Sequence, residues 1–282
     1  MSTAYTVAQV IGNSMFIVPT GLGSQREQTC VMELDMETGN VQKHEIGQHW
    51  IVAYAVSEKH ILTANTLNGE LIISRYDIKT KAVDTLKVSN SYIHRLDYCD
   101  GVFYGFAEVG KGSPYLYLID PDSFTITDEI DLKTSGSNQY YSYLHGDSLY
   151  FASNRTAGDQ PGRTLSRYNI KTKQIENIAL QADSPFQLLP YGDKLLITHN
   201  FPVTGEGNQI TVFDLETEEQ QLISLQSNLY QAAIYNDKLY ATDAEMMYAY
   251  DLADFSLTNS ADIHLHKDSN PYMYVANFFI KN

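Results

Sequence analysis

One short phrase recurs six times in this chain, each time at the end of an alternating apolar run. The instances are Leu34-Asp35-Met36-Glu37-Thr38, Tyr76-Asp77-Ile78-Lys79-Thr80, Ile119-Asp120-Pro121-Asp122-Ser123, Tyr168-Asn169-Ile170-Lys171-Thr172, Phe213-Asp214-Leu215-Glu216-Thr217 and Tyr250-Asp251-Leu252-Ala253-Asp254. The Asp or Asn positions 35, 77, 120, 169, 214 and 251 are 42, 43, 49, 45 and 37 residues apart. A period of this size belongs to solenoids and propellers, whose units bury their apolar faces only against each other.

A second column runs in step with the first: Gly12-Asn13, Ser57-Glu58, Cys99-Asp100, Gly146-Asp147, Gly192-Asp193 and Asn236-Asp237. Gly, Asn and Asp reach positive φ at little cost, so such pairs between β runs read as tight hairpins. Each unit then reads as strand a, a hairpin, strand b, a loop, strand c, a hairpin bearing Asp-x-x-Thr, and strand d. The Asp and Thr side chains can bond backbone amides in the turn, which gives the motif a structural job. Four antiparallel strands in about 45 residues fit one propeller blade. No helical spacing is sustained anywhere. The expected fold is therefore an all-β propeller forming a single domain over residues 1–282. Six repeats are complete, and residues 271–280 look like a seventh a–b pair. A seven-bladed ring is preferred over a six-bladed one, because seven candidates exist for the innermost strand.

The formal charge of −15 and pI near 4.8 argue against a nucleic-acid partner, which needs clustered Lys and Arg. No apolar run is long enough to span a membrane. Cys30 and Cys99 fall in units that are not neighbours, so no disulfide is expected between them. The start, Met1-Ser2-Thr3-Ala4-Tyr5, has neither a basic nor an apolar signal region. The chain is read as the mature part of an exported bacterial protein, extracellular or on the cell surface, if a leader has been removed, and as cytoplasmic otherwise. A monomer is expected.

Five b–c loops read as long: 20–29, 65–70, 108–114, 154–164 and 201–209. They share a face with the d–a connections, opposite the short hairpins, and long loops on a rigid scaffold carry function. At the start of strand a on that face stand Tyr5, Trp50, Tyr92, Tyr140 with Tyr141, Phe186, Tyr230 and Tyr272. These rings are either a stacking platform for a ligand or wedges between blades. A polar column marks the end of strand b: Thr20, Asn65, Asn154, Asn200 and, one position off, Asp243, with Arg155, His199 and Glu108 beside it. Asn here either caps turns or contacts ligand. The candidate binding set is Trp50, Tyr92, Tyr140, Phe186, Tyr230, Tyr272, Asn65, Asn154, Arg155, His199 and Asn200.

No Gly-x-Ser-x-Gly, His-Glu-x-x-His or Cys-x-x-Cys motif occurs, and no catalytic or metal-ligating set is assigned. The His264/His266 pair is too common a spacing to define a metal site. The expected function is a non-catalytic binding propeller taking a protein, peptide or carbohydrate on the loop face. The alternative is a lactonase-like or carbohydrate-active hydrolase or lyase, metal-assisted in some forms. It would use carboxylates of that face, with Glu108, Asp159, Glu206 and Asp243 as candidates.

Asp35-Met36-Glu37-Thr38-Gly39 is the Asp-x-x-Thr-Gly of quinoprotein-type repeats, and Asp77, Asn169 and Asp214 carry looser versions. The chain resembles the broad quinoprotein and lactonase-like group of bacterial β-propellers, which includes surface and periplasmic binding members. Quinone-dependent members of that group dock their blades with a Trp in each repeat. This chain has one Trp, so no quinone cofactor is expected, while a divalent cation is left open.

Overall fold

The six-fold phrase is one hairpin built six times. Its Asp or Asn side chain accepts backbone N–H groups two and three residues on. Asp35 receives Glu37 and Thr38, Asp120 receives Asp122 and Ser123, Asn169 receives Lys171 and Thr172, and Asp214 receives Glu216 and Thr217. Asp77 receives Thr80, and Asp251 receives Ala253. These donors hold the carboxyls of Asp77, Asp120 and Asp214 below the usual carboxylate range. The residue four places after the Asp or Asn donates its N–H back to that residue's carbonyl and lies at positive φ. It is Gly39, Lys81, Phe124, Lys173, Glu218 or Phe255. Only the first is glycine. A bulky side chain in the left-handed region is strained, so Phe124 and Phe255 occupy places that tertiary packing must impose.

The computed structural model describes residues 8–18, 29–67, 70–110, 112–201, 205–243 and 245–263. They form six four-stranded antiparallel sheets, each with its strands in chain order. Blade 1 is β1 (Gln9–Ile11), β2 (Ser14–Ile17), β3 (Cys30–Asp35) and β4 (Val41–Glu45). Blade 2 is β5 (Ile51–Val56), β6 (His60–Leu67), β7 (Glu70–Asp77) and β8 (Val83–Ser89). Blade 3 is β9 (Ser91–Cys99), β10 (Val102–Val109), β11 (Ser113–Asp120) and β12 (Thr125–Asp131). Blade 4 is β13 (Ser137–His145), β14 (Ser148–Arg155), β15 (Pro161–Asn169) and β16 (Ile175–Ala179). Blade 5 is β17 (Pro185–Tyr191), β18 (Lys194–His199), β19 (Gln209–Asp214) and β20 (Gln220–Ser224). Blade 6 is β21 (Gln231–Tyr235), β22 (Lys238–Thr242), β23 (Met246–Asp251) and β24 (Leu257–Asp262).

The chain divides into two compact units, Met1–Thr134 with blades 1–3 and Ser135–Asn282 with blades 4–6. The described blades number six. Residues 271–280, expected to begin a seventh, lie outside the described residues, so the preference for seven has no described counterpart.

Two sequence expectations shift. In blade 3 the a–b turn is Asp100-Gly101, both at positive φ, and not Cys99-Asp100, and in blade 2 Ser57 faces His60, so the turn is Glu58-Lys59 and not Ser57-Glu58. Cys99 closes β9 opposite Val102, because the turn takes the two residues that best tolerate left-handed backbone. The b–c loops are also shorter than their composition suggests. The ladder runs on to Val109 opposite Ser113 in blade 3, and to Arg155 opposite Pro161 in blade 4. Backbone pairing does not require apolar side chains, so polar and Gly-Pro residues at strand ends pair nonetheless.

Within each unit neighbouring blades share apolar cores. Phe16, Val31 and Ile46 of the first blade pack with Ile51, Tyr54 and Tyr76 of the second. Leu62, Leu71 and Ile73 of blade 2 pack with Ile93, Leu96 and Phe103 of blade 3. Leu165 and Leu180 pack with Leu195 and Phe213, and Leu196 and Ile210 with Leu239 and Tyr250. Each such fully buried side chain contributes about 1.5–3 kcal/mol.

Polar side chains then fix the angle between blades. The Gln9 amide bonds the carbonyl of Tyr54 and the N–H of Val56, and the Gln187 amide bonds both backbone groups of Ala232. A glutamine thus stands in for a peptide group on the next blade's innermost strand. On the outer side, Arg75 donates to the carbonyls of Pro121 and Asp122, each at 2.8 Å, and lies 4.8 Å over the Phe124 ring. Arg167 reaches blade 5 from the matching position by an ion pair with the Glu218 carboxylate at 2.8 Å.

Candidate functional site

The residues expected to form a site divide between the units. Trp50, Asn65 and Tyr92 belong to the first. Tyr140, Asn154, Arg155, Phe186, His199, Asn200 and Tyr230 belong to the second. Tyr272 lies outside the described residues, as do Tyr5, Thr20, His264 and His266.

In the second unit the start of strand a is a β-bulge. The register between β13 and β14 shifts between Gln139 and Ser142, and that between β17 and β18 shifts between Pro185 and Leu188. A bulge leaves residues off the ladder and re-aims their side chains. Here it turns Tyr140, Tyr141 and Phe186 onto one another: Phe186 meets both tyrosines edge-on at 5.3 Å and is itself buried. These rings join blade 4 to blade 5. Tyr230, just ahead of blade 6, lies against Gly205, where a Cβ would fall 2.4 Å from its ring.

Two of the asparagines at the ends of strand b, Asn65 and Asn154, face backbone. Asn154 is fully buried and donates to the carbonyls of Pro185 and Asn200, which ties blade 4 to blade 5. Asn65 does the same job locally, donating to the carbonyls of Gln48 and His49. Asn65 and Asn200 each accept the hydroxyl of a threonine two residues earlier, Thr63 and Thr198. His199 is buried, with Nδ1 2.9 Å from the carbonyl of Asp183 and Nε2 2.8 Å from Thr211 Oγ1. Burial pushes its pKa down to about 4, against a smaller opposing effect of the Asp183 carbonyl.

Arg155 is different. Its guanidinium lies 4.6 Å over the ring of Phe201, donates to the carbonyl of Asp159 at 3.1 Å, and keeps 22% of its side chain exposed. Gly162 makes this position: a Cβ there would fall 2.2 Å from the carbonyl of Ser153 and 3.0 Å from the N of Arg155. Close by, Arg163 pairs with Asp183 and holds that carboxyl below its usual range.

In the first unit Tyr92 is 37% exposed and its ring stacks on His94 at 6.3 Å, inclined by 22°. Trp50 is out of step with the other aromatics. It shares positive φ with Asn90, Asn138 and Ser184, each two residues ahead of Tyr92, Tyr140 and Phe186, so the counterpart of those rings in blade 2 is Val52. The indole N–H of Trp50 is buried without a hydrogen-bond partner among the described residues. Of the carboxylates considered for hydrolysis, Asp243 accepts the N–H groups of Glu245 and Met246 and the hydroxyl of Tyr248 at 2.8 Å. Asp159 lies beside Arg155. Among the described residues no group of three or more His, Cys, Asp or Glu is placed to hold a metal ion.

No protein-family model matches the chain, and no curated protein matches its sequence. Solved structures do resemble it. A structure titled Kuenenia stuttgartiensis hydrazine synthase is 17% identical with a TM-score of 0.62, over 86% of this chain and 74% of that one. A protein from Lactobacillus plantarum is 14% identical with a TM-score of 0.62, over 89% of this chain and 82% of that one. A protein from Desulfotomaculum acetoxidans is 9% identical with a TM-score of 0.62, over 90% and 84%. The fold is a β-propeller. At these identities the likeness carries the architecture and leaves the site to its own residues.

Sequence reasoning passed over the arginine column. Arg75 and Arg167 each stand two residues before the hairpin Asp or Asn, a spacing visible in the repeat alignment. What the alignment did not show is that each guanidinium reaches the left-handed residue of the following blade's hairpin.

Proposed function

We propose that this propeller is a non-catalytic binding scaffold that takes an acidic peptide segment of a partner protein beside Arg155. The observation that carries this reading is the state of Arg155. Its side chain is stacked on Phe201, anchored by Asp159 and still partly open to solvent. A guanidinium fixed in this way loses little entropy on meeting a carboxylate, and aromatic and arginine anchors dominate recognition surfaces. The neighbouring Asn154, His199 and Asn200 support the reading indirectly, by fixing the backbone on which Arg155 stands. Carbohydrate is the second ligand class, because Phe201, beside Arg155, and Tyr230 are half-buried aromatic rings of the kind that sugars stack on.

The test is a fluorescence-polarisation titration with a fluorescein-labelled oligoglutamate peptide, run beside a set of neutral oligosaccharides. Saturable binding of the peptide is expected, weakened about tenfold by Arg155→Ala and not restored by Arg155→Lys, which lacks the planar stacking group. Glu58→Ala, in an a–b hairpin, should leave binding unchanged. Binding untouched by Arg155→Ala, or turnover of a lactone or glycoside lost on changing Glu108 or Asp243, would overturn the proposal.

A further inference from the structure

The blade-to-blade arginines reveal a place where the frame is built and the arginine is missing. Arg75 stands two residues before Asp77 and opposite Asp84, and Arg167 stands two residues before Asn169 and opposite Glu176. Each sends its guanidinium to the left-handed residue of the next blade's c–d hairpin, Phe124 or Glu218. Blade 5 repeats this frame with Val212, two residues before Asp214 and opposite Gln221. The next hairpin, in blade 6, carries Phe255 at the left-handed position, φ 56°. Valine is too short to cross. Between them lies a cavity of about 150 Å³ whose lining includes Val212, Gln221, Tyr191, Lys194, Asp254 and Phe255. That is room for a planar group larger than one or two waters, each of which takes about 30 Å³.

We propose that this cleft receives the guanidinium of an arginine side chain from a partner protein, stacked on Phe255 as Arg75 stacks on Phe124. Phe255 holds the left-handed position of its hairpin, the position that Phe124 holds in the hairpin that Arg75 reaches. In the hairpin, Leu252 and Ala253 hold the places of Pro121 and Asp122, whose carbonyls accept Arg75. The Gln221 side chain replaces the Asp84 carboxylate, and the Asp254 carboxylate at the rim replaces the neutral Ser123. Lys194 is the one cation in this lining, and it lies opposite Asp214 on the β18–β19 ladder, whose carboxylate offsets it. Arginine is selected over lysine because a flat guanidinium both stacks and donates in several directions.

The test uses a fluorescein-labelled peptide with a single arginine flanked by glycine and serine, its lysine and citrulline counterparts, and free Nα-acetylarginine methylamide. The arginine peptide should bind saturably, and the lysine and citrulline forms at least about tenfold more weakly. Val212→Arg should abolish binding and raise the melting temperature, since it rebuilds the Arg75 arrangement within the chain. Phe255→Ala should abolish binding with the fold retained by circular dichroism, so the result stands even if Val212→Arg fails to fold. Arg155→Ala should change nothing here, which separates this cleft from the loop-face site. No saturable binding of the arginine peptide, or binding undiminished in Phe255→Ala, would overturn the proposal. Equal affinity for the free arginine derivative would overturn a partner protein as the source.

Discussion

His199 should make the stability of this protein depend on pH across a range that lies mostly above the titration of its carboxylates. The carbonyl of Asp183 can only accept, so Nδ1 carries the proton that reaches it, and Nε2 accepts the hydroxyl of Thr211. Both ring nitrogens are therefore satisfied in the neutral form, and a second proton on Nε2 would face a hydroxyl already donating to it. Burial holds the folded pKa near 4, whereas an unfolded histidine titrates near 6.5. Because the folded pKa is depressed, the contribution is fully present above about pH 6.5 and is lost as pH falls toward about 4, where the unfolded chain binds a proton that the folded chain refuses. A gap of roughly 2.5 units at 1.36 kcal/mol each amounts to about 3 kcal/mol. His60, also depressed by burial, adds in the same direction, so the measurement must be a difference. The assay is urea unfolding of wild type and His199→Gln between about pH 7 and about pH 4. The stability difference between the two proteins should shrink by about 3 kcal/mol across that range, since glutamine does not titrate. Parallel curves would refute the burial argument.

Arg75→Ala removes two charge-assisted bonds to carbonyls, at about 1.5 kcal/mol each, and the stacking on Phe124, at about 0.5–1 kcal/mol. The pair with Asp84, which is 57% exposed, adds little. A loss of about 3.5–4 kcal/mol in urea unfolding is expected, and a loss below about 1 kcal/mol would mean that the arginine does not join blades 2 and 3. Gly162→Ala places a methyl against the backbone of Ser153 and Arg155 and should cost about 2 kcal/mol or more by thermal unfolding, while weakening any ligand that Arg155 holds. An alanine accommodated without cost would show that the end of β14 shifts freely.

The repeat was legible in the sequence because its signal is local. An Asp or Asn that accepts the N–H groups two and three residues on does so through contacts within five residues, so the six c–d hairpins can be read from spacing alone. Strand alternation and the a–b turn pairs are equally local, apart from Cys99-Asp100 and Ser57-Glu58, each of which is displaced by one residue, to Asp100-Gly101 and Glu58-Lys59. Four-stranded blades, and hence the propeller, follow. What the sequence could not decide are the relations between repeats. Whether Asn154 meets a ligand or the carbonyls of Pro185 and Asn200 depends on where blade 5 sits against blade 4. Whether Phe186 lines a mouth or wedges between tyrosines depends on a bulge that composition does not announce. The same holds for the cleft beside Val212: a valine among valines in the sequence becomes a vacant arginine position only once β19 is set against the hairpin of blade 6. Short-range hydrogen bonds fix each blade from its own residues, while the sites arise from residues of different blades, 31 to 46 positions apart in the case of Asn154, whose meeting only the packed structure specifies.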